Sequence, residues 1–176
     1  SEARNRELVE QISSVLYLEE VGENSPTFYI SPQCETMLGY PPSAWMGETP
    51  FWLKAVHPDD VSEYLLHEKN SAAFGTPFDM EYRFIRSDGS VIWVRDQAKL
   101  VEEPGQKPFW RGMIYDITRQ KNTELELQEA NEKLVKSISE LEKRNRESTL
   151  LNEMADLLQS SLTEDESSST LLGEDD

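Results

Sequence analysis

The stretch Phe78-Asp-Met-Glu-Tyr-Arg-Phe84, continued by Ile-Arg-Ser-Asp-Gly89 and Ser-Val-Ile-Trp-Val94, decides the fold. Phe78, Met80, Tyr82 and Phe84 alternate with Asp79, Glu81 and Arg83, which is the period of a strand with one buried face. Asp88-Gly89 is a hairpin signal because glycine accepts the positive φ of a tight turn. Residues 91–101 form the returning strand. Pro104-Gly105 sits in a second turn, and residues 109–117 form a third strand.

Working toward the N-terminus, residues 15–21 and 27–30 are short apolar or aromatic runs. The turn-forming Gly-Glu-Asn-Ser-Pro between them makes a further hairpin. From Ser31 to about Phe74 the pattern is helical and broken. Ser31 is placed to cap a short helix with Pro32 at its first position, ended by Gly39. Pro41-Pro42 opens another turn, and Trp45, Trp52 and Leu53 are bulky anchors. His57-Pro-Asp-Asp60 starts a longer helix, since proline suits the first turn and acids favour its positive end. The result is an α+β domain: a five-stranded antiparallel sheet with helices on one face. A short amphipathic helix over 2–14, with Leu8 and Ile12 on its apolar stripe, precedes it.

Toward the C-terminus, residues 118–162 contain no Gly or Pro. Leu127, Asn131, Leu134, Ile138, Leu141 and Asn145 step by four and three, the spacing of a coiled-coil seam. An unpaired helix would leave these side chains wet. Burial of each stabilises by roughly 1.5–3 kcal/mol, so a parallel homodimer is expected. Asn131 and Asn145 at equivalent seam positions select register at some cost in stability. The expected organisation is therefore a helix over 1–14, a domain over 15–118, a coiled-coil helix over 119–162 and a disordered acidic tail over 163–176.

The net charge of −17 argues against nucleic acid and anionic lipid as partners. The single cysteine, Cys34, permits no intrachain disulfide and suits a reducing, cytoplasmic setting. No apolar run is long enough to span a membrane. No phosphate loop, His-Glu-x-x-His or Gly-x-Ser-x-Gly is present, so no enzyme activity is expected of this chain.

The motifs in their order resemble the PAS domain over roughly residues 10–120. Tyr29-Ile-Ser-Pro-Gln with Met37-Leu-Gly-Tyr40, then His57-Pro-Asp-Asp60, Glu81-Tyr-Arg83, Asp88-Gly-Ser90 and Trp93 are similar to its successive segments. Asp116-Ile117-Thr118 resembles the signature joining its last strand to an output helix. The resemblance implies a sensory module that passes a signal from Asp116–Thr118 into the paired helix. The receiving histidine kinase, diguanylate cyclase or phosphatase domain would lie outside this chain, which is then a fragment. Residues 145–162 are similar to helices that lead into GAF domains.

The resemblance also raises cofactors. The light-sensing branch carries a flavin-reactive Cys where this chain reads Met46-Gly-Glu-Thr-Pro-Phe-Trp52, so flavin is not expected. Haem-binding members use a histidine on the long helix. Here His67 falls about 120° from Val61 on the helical wheel, toward the polar side. No cofactor and no metal are expected. The alternatives are a haem or flavin sensor and a purely structural dimerisation module.

Trp45, Trp52, Phe74, Phe78, Tyr82 and Phe109 suit the wall of a small-molecule cavity, with Leu65, Met80 and Met113 beside them. The same residues describe a filled core, which is the favoured reading. Val91-Ile-Trp-Val94 is apolar on both faces, so the outer sheet face is expected to be covered. Trp93, Leu8 and Ile12 would then lie at an interface with a second copy or under the N-terminal helix.

Overall fold

The computed structural model describes residues 14–22, 26–46 and 51–173. The helix expected over 2–14, with Leu8 and Ile12, lies outside these except for Ser14, which opens a strand instead. Five strands follow chain order: β1 Ser14–Glu20, β2 Thr27–Ile30, β3 Phe78–Ile85, β4 Val91–Val101 and β5 Phe109–Asp116. Between β2 and β3 come α1 Gln33–Leu38, α2 Pro42–Trp45, α3 Phe51–Ala55 and α4 Pro58–Phe74, and α5 Thr118–Leu172 follows β5. The strands form one sheet in the order β2-β1-β5-β4-β3, every neighbouring pair antiparallel. The chain divides into two units, 1–123 and 124–176.

Period two decides which side chains enter the core. Along β3, Phe78, Met80, Tyr82 and Phe84 are buried while Asp79, Glu81 and Arg83 are not. Along β5 the buried set is Trp110, Gly112 and Ile114. Phe109 and Met113, expected at the pocket, therefore share the outer phase with Arg111. Met113 lines an outer-face groove of about 340 Å³ with Leu16, Gln97 and Tyr115. The expected cavity position of these two side chains is thus corrected by strand phase alone.

Ser31 does not cap α1. Its hydroxyl accepts from the Leu16 amide at 3.0 Å instead, tying the helix entry to β1. The helix ends where Gly39 takes φ +82, and a Cβ there would meet Ser87. The start of α4 is tied to β3. Asp60 accepts from the Arg83 backbone amide at 2.8 Å and from its guanidinium at 2.6 and 3.0 Å. The His57-Pro-Asp-Asp60 and Glu81-Tyr-Arg83 motifs are thus two halves of one charged joint.

Phe74 lies in the last turn of α4 before Gly75, about 80° around the helix from Tyr64. Its ring is 78% exposed, so it lines no inner cavity. His67 departs from expectation in the opposite sense. Its ring stands edge-on to Phe78 at 5.0 Å, and its Nδ1 is buried. The inward stripe of α4 carries Tyr64, His67 and Ser71, polar types that disguise it on a wheel. The half-buried Val61, Leu65 and Ala72 flank it.

The tail also differs from expectation, since α5 continues to Leu172. Its hydroxyls are satisfied locally: Thr163 donates to the Gln159 carbonyl and Thr170 to that of Glu166. With no Gly or Pro before Gly173, nothing in the covalent chain interrupts the helix.

Candidate functional site

Trp45, Trp52, Phe78, Met80 and Tyr82 are buried together, and Leu65 packs against them from α4. Trp52 is their hub, with ring centroids 5.3 Å from Trp45, 5.3 Å from Phe84 and 5.8 Å from Tyr82. The cavity left beside Tyr17, Trp52 and Tyr64 is only about 10 Å³. That is about the space of a single water molecule.

The residue that the expected site omits is Asp96. It sits mid-β4 on the buried phase between Val94 and Ala98, and is 1% exposed. Tyr17 donates to its Oδ1 at 2.8 Å and Tyr82 to its Oδ2 at 3.0 Å. Tyr17 belongs to β1, and β5 lies between β1 and β4. Its ring must therefore cross β5, and it crosses at Gly112, where a Cβ would collide with the ring. A buried Asp in a strand, or a Gly at the buried phase of the next, is the signal that marks such a crossing.

Among the described residues no cation pairs with Asp96. Burial pushes its carboxyl up to about 7, against the opposing effect of the two tyrosine hydrogen bonds. Glu19, half-buried on β1, is pushed up to about 8 by burial and then by the charges of Glu68 and Asp96. Burial raises the phenols of Tyr17, Tyr64 and Tyr82 well above their ordinary range. Cys34 is fully buried, and burial lifts its thiol to about 11, which leaves it inert at neutral pH.

These shifts set the sign of a pH dependence. Folded Asp96 and Glu19 hold protons that the unfolded chain has already released near pH 4. The stability they contribute is full below that value and is lost as pH rises through about 7 and about 8. Asp60 and Asp79, held low by Arg83 and Arg95, act oppositely, and their contribution disappears in acid. Between pH 5.5 and 8.5 the melting temperature is expected to fall by more than about 5 °C, and Asp96→Asn to flatten much of that slope. A fluorimetric melt series checks this, and a melting temperature indifferent to pH would contradict it.

Asp116, Ile117 and Thr118, expected to transfer signal, come together with Trp93 in a clamp at the root of α5. The Trp93 amide donates to Thr118 Oγ1 at 3.0 Å, and the Ile117 amide to the Trp93 carbonyl at 2.9 Å. Asp116 accepts from the Thr118 amide at 2.9 Å and from Arg86 at 3.2 Å. The Trp93 indole, on the outer sheet face, lies beneath Arg83 and Lys121, whose charges stand 5.9 and 5.3 Å from its ring. Lys121 also pairs with Glu81. Thr118→Val is expected to cost about 1–2 kcal/mol and to speed hydrogen exchange at the Trp93 amide about tenfold. Unchanged exchange at that amide would count against the clamp.

The family model of the PAS fold matches residues 27–114. The chain belongs to the PAS family. An uncharacterized protein, y4lL, of Sinorhizobium fredii is 36% identical to this PAS chain over 89 residues, half of this chain and a tenth of that protein. Among solved structures, the N-terminal domain of a diguanylate cyclase with PAS/PAC sensor from Marinobacter aquaeolei superposes with a TM-score of 0.55. It is 23% identical, covering 61% of this chain and 98% of that one. A sensory box histidine kinase/response regulator from Burkholderia thailandensis gives 0.58 at 23% identity, covering 74% and 97%. An RNA-binding light-oxygen-voltage receptor gives 0.59 at 18% identity, covering 74% and 37%. At these identities the structures share the PAS fold with this chain. No helix among the described residues is long and apolar enough to cross a membrane.

Proposed function

We propose that this PAS domain is a cytoplasmic sensory module that pairs with a second copy through α5 and relays a signal along that helix. The observation that carries the reading is the seam on α5. Leu127, Leu134, Ile138 and Leu141 are 51–70% exposed, and no residue of the helix is buried within one chain. An apolar stripe of this length is stable in water when a partner covers it. A parallel partner sets Asn131 against Asn131 and Asn145 against Asn145, which favours one register.

The relay begins at the Trp93–Thr118 clamp. A change in the sheet alters the hydrogen bonds that set the first turn of α5, and so biases two arrangements of the paired helices. The receiver is an output domain in the longer protein, of the kind named with the Marinobacter and Burkholderia sensors. The roughly 10 Å³ inner cavity favours a cue that acts on side chains over one that fills a void, and the reading calls for no cofactor. Sedimentation equilibrium of the chain is expected to return the dimer mass at micromolar concentration. A monomer at high micromolar concentration would remove the paired helix as the route.

A further inference from the structure

We propose that the cue is the proton itself, taken up by Asp96 within the Tyr17–Asp96–Tyr82 cluster, a proposal that rests on the relay described above. The cluster is built around one carboxyl. Tyr17 on β1 and Tyr82 on β3 reach it from opposite sides, and the missing side chain at Gly112 lets the Tyr17 ring pass over β5. One carboxyl thus draws on strands from both halves of the sheet.

The surroundings disfavour its charge. On β1 the facing ionisable groups are Tyr17 and Glu19, and on β3 Tyr82. On α4 they are Tyr64 and Glu68, with Lys69 beside Glu68 on the groove by Val21 and His67 against Phe78. On β5 the facing residues are Gly112 and Ile114, and on α3 Trp52. The charges of Glu68 and Asp79 further disfavour ionisation of Asp96.

Protonation changes the hydrogen-bond count. The ionised carboxylate accepts from both phenols. The neutral acid carries an O–H of its own, and when that O–H is donated to a tyrosine oxygen, that phenol accepts in place of donating and its own O–H turns away from the carboxyl. Losing the proton restores two donated bonds and places a negative charge near Glu19 and Glu68. Either form repacks the side chains over β4 and β5. Three residues along β4, Trp93 holds both Ile117 and Thr118. The switch and the clamp therefore share one strand.

The test is a carboxyl-carbon NMR titration of the whole chain with labelled Asp and Glu, from pH 5 to 9. Asp96 is expected to titrate near 7, against about 4 for exposed carboxylates. The amides of Trp93, Ile117 and Thr118 are expected to shift with the same midpoint. Glu19→Gln resolves Asp96 from its titrating neighbour. Asp96→Asn is expected to abolish the amide shifts while circular dichroism stays unchanged. Should that variant fail to fold, Tyr82→Phe serves in its place. It removes a donor to the charged form and is expected to raise the Asp96 midpoint.

Asp96 titrating near 4, or clamp amides indifferent to its titration, overturns the proposal. Sedimentation at pH 6 and pH 8.5 reads the pairing separately. A monomer at both, with Asp96 and the clamp titrating together, rejects the paired relay and upholds the proton site.

Discussion

Gly112→Ala is expected to destabilise the PAS domain by about 3 kcal/mol, although alanine is ordinarily the better strand residue. The added methyl would occupy the space of the Tyr17 ring, against Cζ, Cε1 and the phenolic oxygen. The ring cannot lift away freely, because it is buried and stacks on Trp52 at 6.4 Å. Displacing it also removes the 2.8 Å hydrogen bond to Asp96 and leaves a buried carboxyl with one donor. Loss of that bond and overpacking of the core each contribute about 1–3 kcal/mol. Removing the ring removes the conflict. In a Tyr17→Ala background, the same Gly112→Ala change is expected to be neutral or slightly stabilising. Urea unfolding of the four proteins gives the coupling, expected at about 3 kcal/mol. Additive costs would mean that Gly112 is present for some reason other than the passage of Tyr17.

That coupling marks the boundary of what one sequence discloses. The alternation from Phe78 to Phe84 gives the buried face of β3 directly, because strand phase is a local property. The same rule places Phe109 and Met113 outside once the phase is counted from Trp110. Their size and greasiness, read without phase, suggest the cavity. Asp96 and Gly112 are each visible as anomalies on buried phases. Their meaning is not local, since Tyr17 lies 79 residues from Asp96. It reaches Asp96 only because β5 inserts between β1 and β4. The inward stripe of α4 is obscured for a related reason. Tyr64, His67 and Ser71 face a core that contains buried polar groups, so hydrophobicity is a poor guide to it.

The clamp was more readable. Asp116-Ile117-Thr118 is a short motif at a helix start, with a local bond donated to the Asp side chain by the amide two residues on. Its other partners, Trp93 and Arg86, come from distant positions, and an aromatic residue on a strand's wet face already signals a covered site. The sequence leaves unstated the cation pair above that ring, since Arg83 and Lys121 are ordinary surface charges until the fold brings them together.

Ile138→Asp is expected to abolish pairing of the chain while leaving the domain intact. Ile138 is central in the seam, with Leu134 and Leu141 on either side, and is 51% exposed in a single chain. In a parallel pair each copy meets its twin, so a single substitution removes two buried side chains and sets two carboxylates face to face. At roughly 1.5–3 kcal/mol per buried apolar side chain, the loss is about 3–6 kcal/mol. That raises the dissociation constant about 10²- to 10⁴-fold before the repulsion is counted. Asn145→Leu acts differently: it strengthens the seam but removes a register constraint, so higher or mixed assemblies are expected. No residue from Thr118 to Leu172 is buried within one chain, so the thermal transition of the sheet should be the same in Ile138→Asp and the parent chain. Sedimentation equilibrium separates the possibilities. Parent mass retained by Ile138→Asp would place the contact between copies elsewhere, and the apolar stripe on α5 would then need a different partner to cover it.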